Sequence, residues 1–373
     1  MSQQTKARLS NFELLRIIAM LLIIVSHYSV IGIMHTSFGE PYQIWASGQF
    51  VNRAFSSLMA CGGDTGVGAF FMISGFFLCR KKTQRRISGI FCTVLFYAVF
   101  GILLHLILSL LTSGLDLNQG FIMNCIKLCL NPVTGNNWWF ATAYLILIIL
   151  APVLNQLIED ISSKKMIYLI MLIWFIWYVL GYVLQINLYG IERAIWFYLI
   201  GAYICLHHSE NSKKRTLLYL LTFVGSFLLY AFVTYLIASA IGENMTNGIL
   251  AKKMIQDLLK CVRSTVFAPA CAVSLFMLFK QWELKENASI NKIAGTMFGV
   301  YLWHECPLNR ELLWEGVLKV DSFQYSSVLM PVYCIGTVAL IFLIGMGLDL
   351  LRQRVFERPM LNAWDRCIRF FKA

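Results

Sequence analysis

The chain has 373 residues, of which 58% are hydrophobic and only 13% are charged, and its formal net charge is +12. A soluble domain is about 45–50% apolar and about 25% charged, so this composition excludes a soluble enzyme, a disordered chain and a nucleic-acid-binding module. It indicates an all-α, polytopic integral membrane protein whose surplus apolar surface is covered by membrane lipid.

Ten apolar runs are candidates for membrane helices, because a span needs about 20 mostly apolar residues. In chain order the runs are 12–34, 64–79, 88–113, 136–158, 166–186, 191–207, 216–241, 264–281, 294–315 and 326–350. The second, sixth and ninth are short or interrupted by polar residues. The first run is too long for the core of a signal peptide and is interpreted as a membrane helix. The sequence thus predicts about ten transmembrane helices.

Basic residues predict the orientation of these helices. Lys and Arg cluster before the first run and after the second, fourth, sixth and tenth, which all lie on one side if there are ten helices. Cytoplasmic loops are enriched in Lys and Arg, so we expect a multi-pass protein of the cell membrane with both termini cytoplasmic. The basic segment 242–263 disagrees and indicates an interfacial segment or a wrong count. We expect one transmembrane domain over 1–351 and a basic cytoplasmic tail over 352–373.

The cysteines do not indicate a disulfide framework or a zinc site. There are eleven, and several lie inside apolar runs, where Cys behaves as a small hydrophobe. Cys125 and Cys129 form a pair without a matching second pair or His. His-Glu-x-x-His and a phosphate-binding glycine loop with Lys-Ser/Thr are both absent, which disfavours a zinc protease and an ATP-driven pump. The sequence therefore predicts no metal.

Arg16 and His27 are the sharpest chemical signal. They lie eleven positions apart in the first run, which returns them to nearly the same helix face about 16 Å apart along the axis. Ionisable side chains within a span are costly and point to function. His can act as a general base near pH 7, and Arg suits a carbonyl or phosphate group. Alternatively, Arg16 is an interfacial anchor and His27 a hydrogen-bonded packing residue.

The second run combines small residues with a basic flank. Glycines from Gly66 onward, with Ser74, permit close helix approach. The flank contains Arg80, Lys82 and Arg85, which could bind the phosphates of a nucleotide cofactor. A plain positive-inside loop is the alternative interpretation.

Two further clusters are candidates for the acceptor side. Asn137, Trp138, Trp139 and Tyr144 indicate either an aromatic belt at the outer interface or a sugar-stacking platform.

The other cluster is Tyr301, His304 and Glu305, near the outer end of the ninth run. A His beside a carboxylate could support a catalytic base, and an interfacial polar cluster is the alternative. We assign both clusters to substrate binding.

These motifs together resemble acyltransferase family 3, the integral-membrane enzymes that O-acetylate cell-surface glycans. The matching elements, in family order, are Arg16-x10-His27, the segment Gly66–Leu78, Trp139-Phe140 with Tyr144 and Pro152, Tyr301–His304, and Phe356–Pro359. They extend from about residue 11 to 359. Each motif is weak in apolar sequence, and the set in one order is fairly specific.

The resemblance implies ten membrane helices, an acyl-CoA donor from the cytoplasm, and a glycan or lipid-linked sugar as acceptor. It implies that Arg16 and His27 are essential. One departure is visible, because the family often carries Arg-x-x-Arg after the second run. Here Thr83 stands three positions after Arg80, and the nearest equivalent is Lys82-x-x-Arg85. Which basic residues hold the cofactor is therefore open.

The motifs and the resemblance together predict a membrane O-acyltransferase that uses acetyl-CoA or another short acyl-CoA. His27 would deprotonate the acceptor hydroxyl or carry the acyl group itself, and Arg16 would orient the donor or stabilise the oxyanion. Arg16 would then bind the cofactor together with Arg80, Lys82, Arg85 and Ser74. A glycolipid transporter or flippase is the alternative, although the internal repeats common in transporters are absent from the sequence. The oligomeric state and the acceptor stay open.

Overall fold

A computed structural model describes residues 9–34, 44, 49–80, 87–112, 119–130, 138–181, 190–208, 213–242, 263–320 and 326–372. Within these residues the chain forms helices and no strand, which confirms the all-α prediction.

Fourteen α-helices lie in the described ranges. They are α1 Ser10–His27, α2 Phe50–Ala60, α3 Gly62–Leu78, α4 Ile87–Thr112, α5 Gln119–Leu130, α6 Trp139–Ile158, α7 Ser163–Trp174, α8 Ile191–His207, α9 Lys213–Gly242, α10 Ala268–Gln281, α11 Ala288–Ala294, α12 Met297–His304, α13 Met330–Val355 and α14 Glu357–Lys372. Wider π-helical segments adjoin three of them, at Tyr28–Ile33 after α1, Phe175–Leu180 after α7 and Arg263–Phe267 before α10, and a further one covers Leu312–Val317.

Six helical stretches of the described chain are long and apolar enough to cross a membrane. They are Ser10–Ile33, Phe50–Leu78, Ile87–Ile107, Trp139–Ile158, Arg215–Ser239 and Met330–Val355. These stretches overlap six of the ten predicted runs, and the second begins well before its run 64–79 because it includes α2. The protein is therefore a helical membrane protein.

The predicted count of about ten spans is not reached in the described residues. Run 166–186 continues beyond them after residue 181. Run 191–207 is a helix of 17 residues, and run 264–281 contains a shorter apolar helix, Thr265–Gln281. Run 294–315 breaks into short helices, because Pro307 follows α12 and cannot continue a helix without losing a hydrogen bond.

Helix α3 packs antiparallel against α1 through glycines, as the small residues predicted. A Cβ on Gly62 would meet the backbone oxygen of Leu22, and one on Gly66 would meet that of Ala19. Such contacts allow backbones to approach more closely than larger side chains permit. The two helices form the centre of the bundle.

Helix α8 packs on another face of α3 in the same manner. A Cβ on Gly75 would meet the backbone oxygen of Tyr198, and one on Gly201 would meet that of Met72. Each helix therefore presents a glycine to the other helix's backbone, which fixes their relative register.

Aromatic packing marks the end of the bundle where α1 begins. The ring of Phe12 lies 5.0 Å from Phe76, 5.2 Å from Phe77 and 5.3 Å from Phe276. Arg80 follows α3 at this same end. His27, at the other end of α1, lies toward the start of α3, since a Cβ on Gly63 would meet the Ser26 side chain at 2.7 Å.

The last apolar helix ends at Val355, and Pro359 lies in the first turn of the following helix, α14. The predicted tail over 352–373 thus comprises mainly α14. Arg352 itself belongs to α13, where it is 7% exposed and its Nε donates to Oδ1 of Asp349 at 2.7 Å. Residues 243–262, most of the segment that disagreed with the orientation, lie outside the described residues.

Candidate active site

His27 is the last residue of α1 and lies directly before the π-helical segment Tyr28–Ile33. Such segments occur frequently at functional sites. Neighbouring serines attach this stretch to α2, because Ser26 Oγ donates to the Ala60 carbonyl at 2.9 Å and Ser29 Oγ to the Ser56 carbonyl at 2.6 Å. The side chain of His27 is held on a fixed backbone and remains 19% exposed.

His304 is the last residue of α12, and Glu305 follows it, two residues before Pro307. His304 is fully buried, and Glu305 is 4% exposed. Nδ1 of His304 lies 2.6 Å from the carbonyl oxygen of Val300. A carbonyl only accepts, so we assign the ring proton of neutral His304 to Nδ1, which leaves a lone pair on Nε2.

The fold brings this pair of residues to His27. Nδ1 of His27 lies 3.0 Å from Nε2 of His304 and 3.1 Å from Oε1 of Glu305. Since Nε2 of His304 is an acceptor, Nδ1 of neutral His27 carries its proton and donates it. Nε2 of His27 then holds the free lone pair, and no described group hydrogen-bonds to that atom.

Arg310 completes the cluster and was not anticipated from the sequence. Its Nη2 lies 2.9 Å from Oε2 of Glu305, so it balances the buried carboxylate charge. The available signal was the pair of opposite charges, Glu305 and Arg310, five residues apart within the apolar run 294–315. One oxygen of Glu305 thus faces Arg310 and the other faces His27.

Arg16 occupies a different level of α1. Its Nη1 donates to both carboxylate oxygens of Glu13 at 2.7 Å, and the Arg16 side chain is 22% exposed. Its backbone is about 16 Å from that of His27 along the axis. The two residues therefore do not form one catalytic cluster.

The predicted cofactor residues are only partly described. Arg80 lines a cavity of about 360 Å³ with Pro152, Asn155 and Glu159, and its Nη2 donates to the Cys205 carbonyl at 3.1 Å. The hydroxyl of Ser74 donates to the Phe70 carbonyl of its own helix at 3.1 Å.

Ser74 therefore packs within the bundle, and this structure gives its hydroxyl no contact with the cavity. Lys82 and Arg85 lie outside the described residues.

Among the predicted acceptor residues, Trp138 has no exposed surface, so it offers no face for a sugar to stack on. Its neighbour Trp139 is partly exposed, and the charged end of Arg193 lies 5.8 Å from its ring centre. Asn137 lies outside the described residues. The stacking role predicted for the Trp pair is thus open only to Trp139.

Tyr301 and Tyr144 belong to an aromatic chain that reaches the histidines. The ring of Tyr301 lies 6.1 Å from His304 and 5.1 Å from Phe140, and Phe140 in turn stacks with Tyr144 at 6.2 Å. Tyr301 is 3% exposed, so it packs the site rather than lining an open surface.

A second ion pair, partly buried, lies beside Trp139. Nη1 of Arg193 contacts Oδ1 of Asp64 at 2.6 Å, and the Tyr230 hydroxyl donates to Oδ2 of Asp64 at 2.9 Å. Asp64 was not among the residues predicted from the sequence, although an acid at the start of an apolar run is a functional signal. These residues place polar groups next to Trp139, the partly exposed member of the Trp138–Trp139 pair.

The family comparison agrees with the motifs. A family model described as an acyltransferase domain matches residues 9–346, nearly the whole chain. No curated protein and no solved structure matches the chain. The chain belongs to this acyltransferase family, the acyltransferase family 3 that the motifs resembled.

Proposed function

We propose that this member of the acyltransferase family moves an acyl group, most simply acetyl, from acyl-CoA to a hydroxyl of a surface polysaccharide or a lipid-linked sugar. The observation that carries the proposal is the arrangement of His27. Its Nδ1 is held by His304 and approached by Glu305, while its Nε2 is left for a substrate. This is the geometry required of a positioned general base.

The reaction begins when Nε2 of His27 takes the proton from the acceptor hydroxyl. The oxygen attacks the thioester carbonyl carbon, the carbon–sulfur bond breaks, and the CoA thiolate recovers the proton from His27. Glu305 stabilises the imidazolium formed between these steps, because its Oε1 lies 3.1 Å from Nδ1. In the second route left open by the sequence, Nε2 attacks the thioester itself and the acyl group passes through His27.

Arg16 contacts the donor in this proposal. Its Nη1 is occupied by Glu13, and the remaining guanidinium donors can hydrogen-bond to a carbonyl of the extended CoA arm. Arg16 lies between Arg80 and His27 along the bundle, where an extended CoA arm would pass if its phosphates bound near Arg80 and its thioester reached His27. We therefore assign Arg16 to orienting the donor.

The phosphates of CoA are assigned to the end of the bundle where Arg80 lies. The cavity of about 360 Å³ there is lined by Arg80 together with the amides of Asn155 and Gln156 and the carboxylate of Glu159. Lys82 and Arg85 follow in sequence and add charge. Arg and Lys bind phosphate through charge-assisted hydrogen bonds, which are stronger than neutral ones.

The acceptor is assigned to the opposite end, near His27. Trp139 offers an aromatic face there, beside the Arg193–Asp64 pair. In this proposal the protein lies in the cell membrane with both termini facing the cytoplasm. The donor then enters from the cytoplasm and the glycan from the other side. Membrane lipid surrounds the protein and holds any lipid-linked acceptor.

The proposal is tested with detergent-purified protein and acetyl-CoA labelled in the acetyl group. We expect saturable binding and slow hydrolysis of the thioester, with water replacing the absent sugar. Quenched samples report whether label is attached to His27. Folded protein that binds no short acyl-CoA, and that moves glycolipid across liposomes without any donor, would overturn the proposal in favour of a flippase.

A further inference from the structure

The cluster at His27 has the arrangement of a metal-binding site. His27, His304 and Glu305 each present one ligand atom, and the three atoms lie within 4.8 Å of one another. Two of the separations are 3.0 Å and 3.1 Å. A cation with metal–ligand bonds of about 2.1 Å at tetrahedral or octahedral angles sets its ligand atoms roughly 3.0–3.4 Å apart.

The surroundings of His304 fix it in the form that a metal requires. Its Nδ1 hydrogen-bonds to the Val300 carbonyl at 2.6 Å, which directs the Nε2 lone pair at the cluster. Metal-ligating histidines almost always donate their other ring N–H to a carbonyl or carboxylate in this way. No movement of α12 is needed to present the ligand.

Glu305 provides an independent indication. The residue is 4% exposed, and its Oε1 is buried without a hydrogen-bond donor, because the Nδ1–H of His27 points at His304 rather than along the 3.1 Å line to Oε1. Buried polar atoms are normally hydrogen-bonded, and an orphan of this kind is a candidate ligand atom. Oε2 is held by Arg310, so Glu305 would bind a cation through Oε1 alone.

We propose that Nδ1 of His27, Nε2 of His304 and Oε1 of Glu305 form a site for a divalent transition-metal cation such as Zn²⁺, and that the bound cation stops acyl transfer. Two imidazoles and a carboxylate, with a remaining position for water, are a ligand set that suits zinc. The regulatory half of this proposal rests on the proposed function.

Inhibition follows from the tautomer of His27. When the cation takes Nδ1, the single proton of the neutral ring moves to Nε2, and no proton leaves the protein. Nε2 then has no lone pair for the acceptor hydroxyl. Glu305 is engaged by the cation as well, so both parts of the base are lost together.

Metal binding is measured on the purified full-length protein after treatment with a chelator, by titration with Co²⁺ as a spectroscopic substitute for Zn²⁺. We expect one equivalent with visible ligand-field bands and without the near-ultraviolet band of a cysteine thiolate ligand. His304→Ala and Glu305→Gln should each weaken this binding at least about tenfold. His105→Gln is the matched control and should bind normally, since His105 contacts Asn309 instead.

The second measurement is acetyl transfer by the wild type in the presence of Zn²⁺ and after its removal by chelator. We expect loss and full recovery of activity. The metal site is contradicted if wild-type protein does not bind one equivalent of Co²⁺ with a spectrum that lacks the thiolate band. This holds whether or not the protein transfers acetyl groups. Binding with unchanged or increased transfer overturns the inhibitory role, and binding by a protein that transfers nothing counts against the proposed function instead.

Discussion

Nδ1 of His27 lies 3.0 Å from Nε2 of His304, although 277 residues separate them in the chain. The contact joins the end of the first helix to a short helix near the other end of the sequence. Because Nε2 of His304 accepts a hydrogen bond from Nδ1–H of His27, His27 presents its other nitrogen as a base. The account of acyl transfer depends on this one relationship.

Glu305 is a positioning residue for that base. Glu305→Gln removes the charge that stabilises the imidazolium, so we expect kcat to fall about 100-fold while the affinity for acyl-CoA stays unchanged. The control is Glu311→Gln, a change at an exposed carboxylate nearby, which should leave kcat alone. Steady-state kinetics give kcat for both variants, and a direct binding assay gives their affinity for acyl-CoA. If both substitutions change kcat equally, Glu305 has no specific role in the mechanism.

Arg16 has both a structural partner and a proposed ligand, and a double variant separates them. Arg16→Ala leaves the buried carboxylate of Glu13 unpaired, which destabilises the fold by about 3–5 kcal/mol. It also weakens acyl-CoA binding about 10- to 100-fold, since a hydrogen bond to a charged group contributes about 1.5–3 kcal/mol.

Adding Glu13→Gln should restore thermal stability but not donor binding. Melting temperature and acyl-CoA affinity are measured on the same samples. If donor binding returns together with stability, Arg16 serves only to neutralise Glu13.

Arg80 tests the assignment of the CoA phosphates. We expect Arg80→Ala to raise the Kd for acetyl-CoA about tenfold and to change the Kd for an acetylated pantetheine thioester, which lacks the nucleotide, very little. Lys164→Ala removes an exposed positive charge and is the control. Equal losses for both thioesters would show that Arg80 supports the helix ends rather than the phosphates.

The reciprocal glycines between α3 and α8 predict a stability effect. Gly75→Ala or Gly201→Ala places a Cβ against the backbone of the opposite helix, and the required shift should cost about 1–3 kcal/mol. Gly225→Ala adds a Cβ to open space in α9 and should be neutral or stabilising by up to about 1 kcal/mol. Thermal unfolding in detergent compares the three, and indistinguishable melting temperatures would contradict the packing described.

Much of the fold follows from composition, because an apolar excess of this size requires membrane helices. Six spans coincide with the predicted runs, while the run at 191–207 forms a helix of only 17 residues. Phe197 and Tyr198 in that helix are buried by other helices. Hydropathy does not distinguish a side chain that faces lipid from one that faces protein, so apolar runs alone do not give the number of spans.

The site was predictable in parts and not as a whole. The cost of ionisable groups in apolar runs selects His27, His304 and Glu305 one at a time. Their proximity in space depends on packing between helices that are distant in sequence, and the periodicity of one helix carries no information about that packing. Arg310 does not stand out in the same way, since it lies near the end of run 294–315, where a positive residue is equally typical of a following loop.

The central claim is tested most directly by the rate at which folded His27→Gln protein transfers acetyl groups from saturating acetyl-CoA. His105→Gln, which changes the histidine that contacts Asn309, is measured beside it. The account predicts that His27→Gln binds acetyl-CoA normally but transfers at least about 100-fold more slowly, while His105→Gln resembles the wild type. A His27→Gln protein that transfers acetyl groups at the wild-type rate would contradict it.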